Sequence, residues 1–195
     1  MARDRASRPE AKPLRVFVAF DVPEEALDVI ERAEGPLRER FPRARWVPRE
    51  NRHVTMKFLG ATWPRLVEWV HDAIREAAAG GAAAPTRVMG LGAFPSPRRA
   101  RVLWAGLEDR DARLARIATA LDVALAGEFA PEKRAFTPHL TIARFDPPAP
   151  LEGAGLVAAE SEPFEVDRIV LYRSHLQRPA PVYEPLAEFP LGADA

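Results

Sequence analysis

Asn51-Arg52-His53-Val54-Thr55-Met56-Lys57-Phe58-Leu59-Gly60 and Phe136-Thr137-Pro138-His139-Leu140-Thr141-Ile142-Ala143-Arg144-Phe145 are two versions of one pattern. Each contains H-x-T-x with an apolar residue at both x positions, and the two histidines stand 86 positions apart. Both stretches read as strands, the first stopping at Gly60. Residues two apart in a strand share a face, so each histidine lies beside its threonine while Val54, Met56, Leu140 and Ile142 point to a core. Two such strands facing one another would gather two imidazoles and two hydroxyls around one cleft. A single H-x-T-x says little, because any strand can hold it by chance; the duplication carries the weight.

Working outward, Leu14 to Phe20 is an apolar run introduced by Pro13 and reads as a first strand, after a polar, unpatterned tail at 1–12. Asp21-Val22-Pro23-Glu24-Glu25 resembles a helix start, with Asp21 or a neighbour as cap and a helix running to about Gly35 or Arg40. Leu66, Val67, Val70, Ile74 and Ala77 recur at helical spacing before Gly80-Gly81. A third helix spans roughly Asp109 to Gly127, with Leu114, Ile117, Leu121 and Leu125 on one face. Strands are expected at Thr86 to Phe94, Arg101 to Leu107, Phe164 to Tyr172 and Tyr183 to Phe189, with a loop at 146–155. Many strands, three helices and several hairpins argue for an α+β fold with antiparallel sheets.

Composition removes several function classes. The 195 residues include 28 basic and 28 acidic side chains, so no net field draws the chain to nucleic acid or a membrane, and any RNA binding must be local. Lysine occurs only at 12, 57 and 133, and arginine supplies the remaining positive charge. Cysteine is absent, which excludes disulfides, thiolate nucleophiles and cysteine-based zinc sites. No apolar run approaches the roughly 20 residues that span a bilayer, and the N-terminus lacks a signal peptide's apolar core, so a soluble cytoplasmic protein is expected.

The paired motif suits phosphodiester hydrolysis without a metal. One neutral imidazole takes a proton from attacking water and one imidazolium protonates the departing oxygen, since histidine titrates near physiological pH. Thr55 and Thr141 can donate to the non-bridging phosphate oxygens, and Arg144 can add a charge-assisted contact. Strand alternation gives Arg144 the parity of Leu140 and Ile142, so it reaches the cleft only if the strand twists or ends near Ala143. The repeat alone does not say which histidine is acid and which is base.

With these motifs the chain resembles the two-histidine phosphoesterases, and within them the RNA 2′,3′-cyclic phosphodiesterases, also called the 2′-5′ RNA ligase family. The likeness covers residues 14 to 190. It includes Leu14 to Phe20 with Asp21-Val22-Pro23, Trp46-Val47 before the first motif, Phe94-Pro95 with Arg98 to Trp104, and Leu171-Tyr172-Arg173-Ser174 with Pro181-Val182-Tyr183. Met56 stands where leucine is usual, and His175 where another polar residue is expected. The resemblance implies a single bilobal domain over 13–190, with tails at 1–12 and 191–195. Two pseudo-symmetric antiparallel sheets, helices outside, would face one another across a central cleft. It further implies opening of an RNA 2′,3′-cyclic phosphate to a 2′-phosphomonoester, with His53 as proton donor and His139 as proton acceptor. Reversible 2′-5′ ligation is a secondary expectation.

No cofactor, metal or obligate protein partner is implied, and a monomer acting on RNA ends is expected. Phe20, Phe58, Arg98 and His175 are candidate RNA or base contacts. His71, beside Asp72 in an amphipathic helix, reads as a surface or packing histidine. Two rival readings keep the cleft: a phosphodiesterase for 2′-5′ oligonucleotides or ADP-ribose cyclic phosphate, and a non-catalytic RNA-end-binding module.

Overall fold

The computed structural model describes residues 12–152, 156 and 159–192. The first strand, β1 (Leu14–Asp21), buries Val16 to Phe20 without interruption because it lies inside the sheet. Helix α1 (Glu24–Arg40) follows, with Glu24 and Glu25 at its positive end and Arg38 and Arg40 at its negative end. No side chain caps it: Pro23 occupies the cap position, and Asp21 instead accepts a hydrogen bond from the Tyr172 hydroxyl at 2.8 Å.

A two-residue strand β2 (Arg45–Trp46) and a 3₁₀ turn at Arg49–Asn51 lead into β3 (His53–Thr62). Helix α2 (Val67–Ala79) ends at Gly80, and β4 (Ala84–Thr86), β5 (Val88–Phe94) and β6 (Ala100–Leu107) follow. Helix α3 (Arg113–Leu125) has Ala112 at its cap position, and Asp109, three residues earlier, accepts from the first-turn amides of Leu114 and Ala115. The chain closes with β7 (His139–Ala149), β8 (Phe164–Val166), β9 (Arg168–His175) and β10 (Val182–Pro190).

Eight strands form one antiparallel sheet in the order β10-β9-β1-β3-β7-β6-β5, with β2 on β7; β4 and β8 make a separate pair. The architecture is α+β, as the pattern of elements predicts. The expected two halves, β10-β9-β1-β3 and β7-β6-β5, are joined through the single register pair Val54↔Leu140. Helices α2 and α3 pack on each other and against β3, β9 and β10. Beyond the end of α1, Phe41 meets Phe145 of β7 edge-on at 5.6 Å.

Several boundaries differ from expectation. The loop expected at 146–155 begins later, because β7 continues through Pro147 and Pro148 to pair Ala149 with Ala100. The strand expected from Phe164 to Tyr172 is two, divided at Asp167. The tail expected from 191 is too long: Leu191 is buried in the core and its amide donates to the Asp167 carbonyl. The rest of that tail beyond Gly192, and residues 1–11, lie outside the described residues. None of the described helices is long and apolar enough to cross a membrane.

Candidate active site

The pair Val54↔Leu140 fixes the geometry of the site. Continued one residue either way in an antiparallel ladder, it sets His53 across from Thr141 and Thr55 across from His139. Those four side chains and Arg144 line one cleft of about 380 Å³. Nearby, the His53 Nδ1–H donates to the Asn51 carbonyl at 2.9 Å, and the His139 Nδ1–H donates to the Thr137 carbonyl at 2.8 Å. Each ring is thus tied back to the residue two before it. The Nδ1 bonds leave Nε2 in both rings as the nitrogen able to exchange a proton.

Arg144 reaches the cleft because β7 bulges. Against β6, Trp104 pairs with Thr141 and Leu103 with Ala143, so Ile142 is the extra residue. A bulge adds one residue and reverses the alternation beyond it, which moves Arg144 onto the histidine face. The same event occurs in β3, where Ala19 pairs with Thr55 and Val18 with Lys57, leaving Met56 extra. Phe58 is thereby the positional counterpart of Arg144, and it too lines the cleft, 44% exposed.

The two imidazoles have different surroundings. His53 stacks on Phe17 at 4.8 Å and meets Tyr183 edge-on at 5.1 Å. Burial pulls its pKa down to about 4, although the Asn51 carbonyl and the charge of Asp21 both raise it. His139 meets Phe94 edge-on at 5.2 Å and Trp104 at 6.2 Å. Gly92 makes room for that indole: a Cβ there would lie 2.2 Å from the Trp104 ring.

Behind the first motif, Arg52 donates to both Glu34 oxygens at 2.8 and 3.0 Å, anchoring the segment before His53 to α1. The Asn51 side chain donates to the Pro181 carbonyl at 2.7 Å, which ties the β9–β10 loop over the cleft. Lys57, almost fully buried, pairs with Asp122 and donates to the Ala130 carbonyl at 2.8 Å. Asp122 also accepts from the Glu132 amide, so β3 helps hold the segment that leads to Thr137 and His139.

Among the other candidate contacts, Phe20 is 1% exposed in the core and has no face to offer a base. The phenylalanine that stacks on His53 is Phe17, three positions before Phe20. Arg98 is exposed but lies away from the cleft lining and pairs with Glu152 at 2.7 Å. His175 lies outside the lining as well, bonded to Glu184 at 2.7 Å, while its neighbour Ser174 does line the cleft. His71 sits on α2 beside Arg75, away from the site. Arg15, Arg45, Trp46 and Tyr183 line the cleft without having been legible as site residues. Trp46 and Tyr183 stood in stretches that carry the family resemblance; nothing in the local sequence marked Arg15 or Arg45. Among the described residues, no group of three or more His, Cys, Asp or Glu side chains is placed to hold a metal ion.

The chain is similar to several known proteins. An RNA 2′,3′-cyclic phosphodiesterase from Geobacillus stearothermophilus is 33% identical over 90% of this chain, which spans 56% of that relative's length. The protein of the same description from Methanothermobacter thermautotrophicus is 28% identical, over 91% of this chain and 99% of its own. Among solved structures, TT0787 of Thermus thermophilus superposes with a TM-score of 0.79 at 27% identity, covering 93% of this chain and 100% of that one. A model of the 2′-5′ RNA ligase superfamily matches residues 21–178, a span that takes in both H-x-T-x strands. On that match, and with both motifs facing one cleft, the chain belongs to the 2′-5′ RNA ligase superfamily.

Proposed function

We propose that the chain hydrolyses RNA 2′,3′-cyclic phosphate ends to 2′-phosphomonoesters by metal-independent acid–base catalysis. The observation that carries this reading is the junction of the two H-x-T-x strands at Val54↔Leu140, which brings two Nδ1-tethered imidazoles and two hydroxyls into one cleft. One Nε2 takes a proton from water as its oxygen attacks phosphorus, and the P–O3′ bond breaks. The other Nε2–H protonates O3′ as it leaves, so the products are a 2′-phosphate and a 3′-hydroxyl. Thr55, Thr141 and Arg144 neutralise the charge that gathers on the non-bridging oxygens. A 5′-hydroxyl in place of water gives a 2′-5′ linkage by the same proton transfers, which supports a secondary ligase activity. The names of the relatives support the substrate class.

Within this mechanism His53 is the donor and His139 the acceptor, as the family resemblance implies. One observation favours the reverse. A buried His53 with a pKa of about 4 is neutral at physiological pH, the state a base needs. The donor role then requires that the bound phosphate anion lift that pKa, as an opposite charge within a few ångströms does. A phosphodiester with a p-nitrophenolate leaving group separates the two, because that group departs without protonation. The donor's alanine variant should keep far more of the wild-type rate on it than the acceptor's does.

The overall reading is tested by product analysis on an RNA ending in a 2′,3′-cyclic phosphate, with EDTA present. A 2′-phosphate product supports it. A 3′-phosphate, or activity that disappears with EDTA, overturns it, and tight RNA binding without product restores the binding-module alternative. The protein is assigned to the cytoplasm as a monomer, to be checked by cell fractionation and by sedimentation.

A further inference from the structure

The chemistry above uses one guanidinium on one phosphate, yet the cleft is lined by three. Arg15 and Arg45 join Arg144 there, and no aspartate or glutamate belongs to the lining. All three are exposed. Elsewhere some arginines take carboxylate partners, as Arg49 does with Glu24, Asp28 and Glu31 and Arg168 with Asp167 and Glu188, and others, such as Arg65, Arg99 and Arg101, pair with none among the described residues, so it is their convergence on one acid-free cleft that sets Arg15, Arg45 and Arg144 apart. The three in the cleft pair with no carboxylate among the described residues, in a chain whose acids equal its bases in number.

Their placement costs stability. Arg45 and Arg144 are register partners on β2 and β7, and like charges directly opposite one another destabilise a sheet. Arg15 lies over the Phe58 ring, 4.5 Å from its centroid, so an aromatic face rather than an acid holds it at the cleft wall. Arg15 and Arg144 also act on one phenol, both lowering the Tyr183 pKa against the burial that raises it. An anion relieves such an arrangement, and a bidentate guanidinium contact suits phosphate oxygens. A cyclic phosphodiester brings one negative charge, which leaves two guanidiniums over.

We propose that Arg15 and Arg45 hold a second phosphate of the substrate. The preferred substrate is then a 2′,3′-cyclic phosphate whose ribose also carries a 5′-phosphoryl group, either a terminal monoester or the diester to a preceding nucleotide. This rests on the phosphodiesterase reading and adds a requirement to it.

The test compares three substrates at one fixed ionic strength: a nucleoside 2′,3′-cyclic phosphate, the same compound with a 5′-phosphate, and a dinucleotide ending in the cyclic phosphate. Wild-type kcat/KM should rise at least about tenfold on adding the second phosphate, chiefly through KM, the size expected for one charge-assisted contact. Preference for the 5′-phosphate compound over the dinucleotide identifies a terminal monoester as the group read; equal gain from both identifies any phosphate at that position. In Arg15→Gln and Arg45→Gln the ratio between phosphorylated and unphosphorylated substrates should fall towards one. Equal wild-type turnover of all three, or a ratio that persists in both variants, overturns the proposal. Absence of hydrolysis on every substrate overturns the phosphodiesterase reading and this inference with it.

Discussion

From their histidines onward, β3 and β7 run through the same seven-residue sequence of half-buried, buried and exposed positions, with the bulge at the same step. They diverge at the two positions after it. Where the first half buries Lys57 the second has Ala143, and where the first presents Phe58 to the cleft the second presents Arg144. The histidines diverge too, since Phe17 and Tyr183 enclose His53 whereas His139 meets Phe94 and Trp104. An acid and a base must differ in protonation at the same moment, and a perfectly symmetric site would give its two imidazoles one pKa. In the proposed mechanism the repeat supplies the pair, and the departures from the repeat make its two members different.

That comparison is open to attack at each point of likeness and difference. Where the halves agree the losses should be greatest: His53→Ala and His139→Ala should each lower turnover of a cyclic phosphate RNA by about 10²–10⁴-fold. Steady-state rates in the presence of chelator check this, and near-normal activity in either variant breaks the equivalence. Lys57→Ala places the second half's residue in the first. It leaves Asp122 without its cation and should cost about 4 kcal/mol of stability, read from denaturant midpoints.

The pH dependence of His53 sharpens the contrast between the imidazoles. Its folded pKa of about 4 lies below the unfolded value of 6.5, so between those pH values the unfolded chain binds a proton that the folded chain does not. Stability from this group is fully present above about pH 6.5 and is lost as the pH falls towards 4, by up to about 3 kcal/mol. His53→Gln should flatten that part of the curve in thermal melts taken across the window. Smallest is the contrast at the cleft rim: Arg144→Gln should cost about 2 kcal/mol in kcat/KM, roughly thirtyfold. Phe58→Ala should cost less, and a larger loss from Phe58 would reverse the assignment of Arg144 to the reacting phosphate.

The sequence made the pair legible because H-x-T-x needs only strand alternation to place imidazole beside hydroxyl. The fold class was legible for a similar local reason, in apolar periods bounded by glycine and proline. What alternation cannot carry is a bulge. Met56 and Ile142 look like ordinary core positions, and only their mismatch with β1 and β6 turns Phe58 and Arg144 towards the cleft. Arg15 and Arg45 escaped because register, a long-range property, puts one over Phe58 and the other opposite Arg144. Phe20 and Phe17 are alike in local sequence, and the position of β1 within the sheet decides which ring meets His53. Strand β7 outran its expected end because a strand's last residues tolerate proline where pairing thins out.

The central claim is that the two motifs form one acid–base unit across Val54↔Leu140. A double-mutant cycle tests it most directly, comparing single-turnover rates of wild type, His53→Ala, His139→Ala and the double variant on an RNA 2′,3′-cyclic phosphate. If the histidines act as a unit, the double variant should be about as slow as the slower single variant. Losses that multiply would show two histidines acting independently and would contradict the account.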